Sequence, residues 1–128
     1  MCPRNIGERV KPIRFVGSSL DDISAFPADA KLKLGHALRI VQSGERAPNE
    51  KPLHGDLSGV SEITADAESG NTYRSVYTVK LEPFVFVLHC FEKKAKKGIA
   101  TPKKELDLIR RRLKVAKEIY REIQEARA

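Results

Sequence analysis

Cationic side chains are concentrated in two places that could bind a phosphate. Four lysines, Lys93, Lys94, Lys96 and Lys97, fall within five residues, directly after an apolar run. Arg74 stands alone in the segment Tyr73-Arg74-Ser75-Val76-Tyr77. In RNA cleavage without a metal, the ribose 2′-hydroxyl attacks the adjacent phosphorus and negative charge grows on the phosphate. Arginine and lysine stabilise that charge, so these residues suit a phosphodiester substrate.

Both features also have a plainer interpretation. Strand alternation places Arg74 on the face of Val76 and Thr78, where it needs an anionic partner or a solvated groove. A salt bridge to Glu62 on the neighbouring strand would satisfy it as well as a phosphate would. A lysine run is commonly a solvated surface. Attachment to the end of a strand restricts this run more than a tail, which favours phosphate binding.

Cleavage also requires groups that accept and donate protons. Lysines crowded by other cations have lowered pKa values, and His54 or His89 titrates near neutral pH. Lys51 and His54 lie in the preceding loop, from which both can approach the same site. The three histidines lack metal-ligand spacing, and no zinc-protease, serine-hydrolase or Walker motif is present. The sequence therefore predicts neither a metal nor another cofactor.

The elements that position these residues follow from periodicity and turn residues. We predict a loose tail over residues 1–10 and one domain over residues 11–128. The predicted order is a strand, two helices, a loop, three strands and a long helix. The first strand is predicted at about 11–17, the two helices begin after Ser19 and after Pro27, and the loop spans 43–55. The three later strands are predicted at about 60–65, 72–80 and 84–91, and the long helix begins near Thr101.

This order predicts a compact α+β domain. Short connections make the last three strands an antiparallel meander, and the first strand should pair at an edge or beside the last one. The two early helices should form a hairpin over one face of a small antiparallel sheet. We expect the opposite face to be open, concave and functional.

The long C-terminal helix has one apolar seam, formed by Leu106, Ile109, Leu113, Ala116, Tyr120 and Ile123. Its other faces are basic, and Arg111 on one of them is a further candidate for RNA binding. A good N-cap, Thr101, and a good first residue, Pro102, should begin the helix.

Charge is distributed unevenly along the chain. Residues 1–83 hold 11 Lys+Arg and 11 Asp+Glu, whereas residues 84–128 hold 13 and 6, so the net charge of +7 lies in the last third. The asymmetry favours a nucleic-acid partner, with a membrane surface second and a merely soluble basic surface as the plain alternative. No signal peptide or apolar span is evident, and two unpaired cysteines fit a reducing compartment, so we expect a cytoplasmic protein.

Four short motifs occur in the order typical of one family. The run Lys51-Pro52-Leu53-His54-Gly55-Asp56-Leu57-Ser58-Gly59-Val60-Ser61-Glu62-Ile63 resembles the K-x-L … G-x-x-E-I/L segment of HigB-like toxins. The segment Tyr73–Tyr77 resembles their Y-R-x-x-Y strand. The residues Val87–Lys94, followed by Thr101-Pro102, are similar to their L-H-x-F-x-K-K … T-P signature. Phage-derived proteins of this branch carry the same signature.

The resemblance implies a RelE/ParE-like fold and the toxin of a type II toxin–antitoxin system. It implies an endoribonuclease that cuts mRNA at the ribosomal A site and is neutralised by a helix-turn-helix antitoxin. By position, Arg74, Lys93, Lys94 and His54 are the candidate catalytic residues. The candidate RNA-binding residues are Lys51, Lys96, Lys97, His89 and Arg111. Tyr120, on the apolar seam, does not match the C-terminal tyrosine of RelE.

Two other functions are compatible with the same fold. A ParE-like protein inhibits DNA gyrase without catalysis, and it has no obvious need for the lysine cluster. A phage remnant that binds RNA without toxicity is the second alternative. With only five Phe and three Tyr, the chain offers little material for stacking bases.

Overall fold

The computed structural model describes residues 10–93 and 101–127. Its elements are β1 (Ile13–Phe15), α1 (Ser19–Ser24), α2 (Ala28–Gln42), β2 (Glu50–Pro52), a short 3₁₀ turn (Gly55–Leu57), β3 (Val60–Asp66), β4 (Thr72–Thr78), β5 (Val85–Lys93) and α3 (Lys103–Arg127). The α+β class and the predicted order of elements are confirmed, with β2 as an additional strand. The predicted tail lies outside the described residues, except for Val10. No helix within the described ranges combines the length and apolar character needed to cross a bilayer.

The sheet has the strand order β1-β5-β4-β3-β2. The strands β3, β4 and β5 form the predicted antiparallel meander, and β1 lies at the edge beside β5. However, β1 runs parallel to β5, so the prediction of a wholly antiparallel sheet was wrong at this edge. Alternation of apolar residues identifies a strand but carries no information on its direction.

The segment 43–55, predicted as a loop, contains the short edge strand β2. In the β2–β3 pair, Lys51 lies directly opposite Glu62. Directly opposed residues of antiparallel strands share a face of the sheet. The pairing of Arg74 with Thr64, two residues beyond Glu62, places Arg74 on that face as well. This register brings Lys51 and Arg74 to the same side of the sheet.

Each face of the sheet is covered by helix. The helices α1 and α2 pack on one face, where the buried residues include Leu34, Leu38, Ile63, Tyr77 and Val87. The α3 seam packs on the other face, where the buried residues include Val76, Phe86, Leu88, Ile109 and Ala116. The prediction that this second face is open was therefore wrong, because its apolar residues and the α3 seam bury one another.

One end of the second face extends past the helix. Glu105, near the start of α3, contacts His89 on β5, and Tyr120 packs against Phe84 near the opposite end of that strand. The helix therefore runs back along β5 from His89 towards the beginning of the strand. The last residues of β5, up to Lys93, lie beyond the start of α3, and the candidate site lies there.

A glycine next to β1 leaves room for an arginine of α3 that hydrogen-bonds to the sheet. Gly17 has a φ of +60°, and a Cβ at this position would lie 2.8 Å from Nε of Arg112. Arg112 donates hydrogen bonds to the carbonyl oxygen of Leu88 (3.0 Å) and to Oγ of Ser18 (3.0 Å). The guanidinium group fits between α3 and the sheet because Gly17 has no side chain.

We expect Gly17→Ala to lower the free energy of unfolding by about 2–3 kcal/mol, since backbone strain and a steric clash each cost about 1 kcal/mol or more. Gly55→Ala is the matched control: its φ is +68° and no atom lies within 4 Å of the added Cβ, so only the strain remains. Urea denaturation measures both. Equal losses in the two variants would show that the Arg112 contact contributes nothing.

Candidate active site

A cavity of about 610 Å³ opens where β3, β4 and β5 extend beyond α3. Four of its lining residues are cationic, Lys33, Lys51, Arg74 and Lys93, and two carry carboxylates, Glu50 and Asp66. Lys33 reaches across from α2 and donates to the carbonyl oxygen of Asp66 (2.7 Å). Three cations that sequence analysis selected, on three different strands, therefore line one cavity.

Glu62 holds Arg74 in position from behind the cavity. Nη1 of Arg74 donates to Oε1 of Glu62, so the salt bridge that sequence analysis weighed is present. The other carboxylate oxygen, Oε2, accepts a hydrogen bond from Oγ1 of Thr101 (2.8 Å). Only 4% of the Glu62 side chain is exposed. A carboxylate this buried needs both partners, because an unpaired charge inside a protein is costly.

The salt bridge uses only part of the cationic surface. Nε of Arg74 and Nζ of Lys93 are both buried and have no hydrogen-bond partner among the described residues. Lys93 lies opposite Thr72 and Arg74 lies two residues further along β4, so the two cations are near neighbours on one face. Buried donors without partners are rare in folded proteins. Two of them on one cavity indicate a site for an anion.

Burial also changes the proton affinity of the lysine. Removal from solvent lowers the pKa of Lys93 below its ordinary value, and the positive charge of Arg74 lowers it further. Glu62 acts in the opposite direction and raises it, with a smaller effect than Arg74. A lysine with a lowered pKa releases its proton more readily, which suits proton transfer during catalysis.

The lowered pKa predicts how stability depends on pH. Between the pKa of Lys93 in the folded protein and its unfolded value near 10.5, the unfolded chain binds more protons, so stability rises with pH. We expect Lys93→Met to be more stable than the unsubstituted protein at neutral pH and to lose that advantage as the pH approaches 10.5. Urea midpoints from neutral pH to about pH 11 measure this, with Lys31→Met, at an exposed position, as the control. An advantage that does not vary with pH would contradict the prediction.

The other predicted site residues lie apart from this cavity or outside the described residues. Lys94, Lys96 and Lys97 fall within the segment 94–100, outside the described residues. His54 is exposed, directly before the 3₁₀ turn, and does not line the cavity. Arg111 is exposed on α3 and does not line it either.

His89 lies on the same face but makes a different set of contacts. Its Nε2 lies 2.6 Å from Oε1 of Glu105, and its Nδ1 lies 3.4 Å from Nη1 of Arg112. The ring stacks on Phe91 with centroids 4.9 Å apart, and only 6% of the residue is exposed. The structure therefore places this histidine, predicted to bind RNA, between β5 and α3 instead of on the cavity.

Sequence analysis identified Glu62 as a candidate partner of Arg74 but missed the roles of Thr101, Glu105 and Arg112. Thr101 is predicted to be the N-cap of α3, yet the helix begins at Lys103 and the threonine hydroxyl binds Glu62 instead. One signal was available in the sequence: each of the four family-like motifs contributes a residue to this region. The first supplies Glu62, the second Arg74, the third Lys93 and the fourth Thr101.

Comparisons with known proteins give one family. The model of the family described as "Phage derived protein Gp49-like (DUF891)" matches residues 21–114. No curated protein matches the chain significantly. Among solved structures, the RelBE2 toxin–antitoxin complex from Mycobacterium tuberculosis contains a chain that is 20% identical, with a TM-score of 0.49, and the match covers 67% of the present chain and 94% of that one.

Proposed function

The chain belongs to the family of phage-derived Gp49-like proteins, and from this premise we propose that it is the toxin of a type II toxin–antitoxin system and cleaves mRNA without a metal. The observation that supports this function most strongly is a pair of buried donors, Nε of Arg74 and Nζ of Lys93, that have no hydrogen-bond partner within the part of the chain that the structure describes and belong to residues lining one cavity. A phosphate oxygen would satisfy both groups. It would also offset the repulsion between two neighbouring cations.

In this proposal Arg74 binds the scissile phosphate. Glu62 accepts a hydrogen bond from Nη1 and thereby fixes the guanidinium plane, while Nε, which has no hydrogen-bond partner among the described residues, is the donor that we assign to the phosphate. As the 2′-hydroxyl attacks phosphorus, negative charge grows on the phosphate oxygens and the interaction with Arg74 strengthens. Fixed donors that are already in place stabilise such a transition state without reorganisation.

Lys93 donates a proton to the leaving group. As its oxygen bonds to phosphorus, the 2′-hydroxyl gives up its proton to water, a 2′,3′-cyclic phosphate forms, and the bond from phosphorus to the 5′ oxygen breaks. The 5′ oxygen takes up the proton that Lys93 donates, and solvent then returns a proton to Lys93. A lysine whose pKa is lowered by burial and by Arg74 is a better acid than a solvated lysine. Lys51, exposed on the same face, contacts the adjacent backbone phosphate. Lys94, Lys96 and Lys97 lie outside the described residues, and we retain them as candidates for RNA contact on the basis of their charge alone.

The proposed partners follow from the family resemblance. A helix-turn-helix antitoxin neutralises the toxin, and the ribosomal A site presents the mRNA. The alignment of nucleophile, phosphorus and leaving oxygen would then come largely from the ribosome. Alignment by the ribosome would explain why few candidate acids and bases line the cavity of this protein.

Mapping of mRNA 5′ ends after induced expression tests this function. We expect new ends within translated regions, and we expect them to disappear when the start codon of the reporter mRNA is removed. Intact mRNA together with growth arrest and gyrase-dependent DNA breaks would contradict the proposal and favour the ParE-like alternative.

A further inference from the structure

The helix α3 carries a line of cations that the proposed cleavage site does not use. Lys103, Arg110, Lys114, Lys117 and Arg121 are spaced by seven, four, three and four residues, so they follow one another along a single flank of the helix. We call these five residues the α3 stripe. From first to last it extends about 27 Å, at 1.5 Å per residue. Asp107 is the only acidic residue within this row.

The cations of the stripe differ in how they are neutralised. Arg110 is paired with Asp56 (2.7 Å) and with Asp107 (2.8 Å). Lys114, Lys117 and Arg121 are exposed and form no ion pair with any described residue. Neighbouring like charges three or four residues apart destabilise a helix by a few tenths of a kcal/mol per pair. Glu118, four residues after Lys114, and Glu125, four residues after Arg121, offset part of this repulsion. Because the exposed cations form no ion pair with any described residue, they are available to an anionic ligand.

We propose that the α3 stripe binds the backbone of the RNA strand whose scissile phosphate occupies the cavity. The inference rests on the proposed function and extends it. The stripe begins next to the cavity: Lys103 follows two residues after Thr101, whose hydroxyl lies 2.8 Å from Glu62. A strand that leaves the cavity along this flank meets successive cations over several nucleotides. Such contacts set position and affinity without reading sequence.

Two features of α3 favour RNA over other anionic partners. Binding to a membrane surface would use the apolar face of the helix, but that seam is buried against the sheet, with Ile109 and Ala116 fully inaccessible. The anchors at the centre of protein interfaces are most often tryptophan, tyrosine or arginine. The stripe has no aromatic residue, its Arg110 is already paired with Asp56 and Asp107, and the exposed apolar residue of α3, Val115, points away from this flank by the helical repeat.

The dependence of RNA binding on salt tests the stripe. The probe is a short single-stranded RNA in which every 2′-hydroxyl is methylated, so the full-length protein binds it but cannot cleave it. Each phosphate contact on a single strand contributes about 0.7 to the slope of log K against log salt. We therefore expect Lys114→Gln/Lys117→Gln to reduce the slope by about 1.4. Fluorescence anisotropy between about 50 and 200 mM salt measures it.

A matched pair of substitutions controls for net charge. Lys31 and Arg39 are exposed on α2, on the opposite side of the sheet, and Lys31→Gln/Arg39→Gln removes the same two charges. We expect this control to leave the slope unchanged. Equal slopes for the stripe variant and the unsubstituted protein would overturn the proposal. The proposal would also be overturned if the stripe variant lost binding to anionic vesicles while its binding to RNA was unaffected.

The result is separable from the fate of the proposed function. If the stripe variant has a reduced slope while the unsubstituted protein cleaves no mRNA in cells, RNA binding by the stripe is supported and the endoribonuclease function is contradicted. If cleavage occurs and the slope does not change, RNA binding by the stripe is contradicted and the endoribonuclease function is supported. Thermal unfolding of both double variants verifies folding. The stability of the stripe variant should change by no more than about 0.5 kcal/mol, because relief of like-charge repulsion is opposed by loss of the attraction between Lys114 and Glu118.

Discussion

We expect Arg74→Lys to reduce the rate of mRNA cleavage by about two to three orders of magnitude, the usual cost of removing one fixed donor from a developing oxyanion. Lysine keeps the positive charge opposite Glu62, so the buried carboxylate retains a partner. It lacks the planar fork through which Arg74 donates to Glu62 with Nη1 and keeps Nε available for the phosphate. Single-turnover cleavage of a reporter mRNA in a translating extract measures the effect.

The control for this variant is the same exchange elsewhere. Arg39 is exposed on α2 and outside the cavity, and Arg39→Lys should leave the cleavage rate unchanged. Circular dichroism and the urea midpoint establish that Arg74→Lys is folded. A folded variant that cleaves as fast as the unsubstituted protein would remove Arg74 from the mechanism.

The largest effect on stability should come from Glu62→Ala. The substitution leaves the guanidinium of Arg74 without its anion, beside buried Lys93, and leaves the hydroxyl of Thr101 without its acceptor. Removing one partner of a buried ion pair costs about 3–5 kcal/mol. Urea unfolding should show a loss of this order. Glu45→Ala, at an exposed loop position, should change stability by no more than about 0.5 kcal/mol.

A double substitution separates loss of the pair from loss of packing. Glu62→Met/Arg74→Met removes both charges and fills the space with apolar atoms. Because no unpaired charge remains, it should be less destabilised than Glu62→Ala. If the double variant is less stable than Glu62→Ala, the ion pair itself contributes more to the free energy of unfolding than the cost of leaving Arg74 unpaired.

Much of the fold is predictable from local patterns. The α3 seam repeats every three or four residues, and the short turns between β3, β4 and β5 leave little choice but a meander. The strand β2 was missed because Glu50-Lys51-Pro52 is polar, three residues long and paired on one side only. The parallel direction of β1 and the side covered by α3 depend on tertiary packing, which no local pattern encodes.

The candidate site was predictable in composition but not in its contacts. Arg74 and Lys93 are recognisable as cations on strands, and their common face follows from alternation once the register is known. Sequence analysis treated the Glu62 salt bridge and a phosphate-binding role as alternatives for Arg74. In the structure Glu62 pairs with Nη1, and Nε has no hydrogen-bond partner among the described residues, so the salt bridge does not exclude the phosphate-binding role that we propose.

The contacts of His89 could not be predicted from the sequence. A histidine beside a lysine cluster suggests proton transfer or RNA contact, and nothing in the local sequence distinguishes these roles from a packing role. The partners that engage it, Glu105 and Arg112, lie 16 and 23 residues further along the chain. Only the packing of α3 against β5 brings them together, so their role becomes visible in the folded protein alone.

A crystal structure of the protein with a short RNA that carries a 2′-deoxy sugar at the cleaved position would show directly whether Arg74 and Lys93 bind one phosphate. We expect a phosphate whose oxygens lie about 2.7–2.9 Å from both Nε of Arg74 and Nζ of Lys93. A phosphate held elsewhere, with both of these groups still without a partner in the RNA complex, would contradict this expectation.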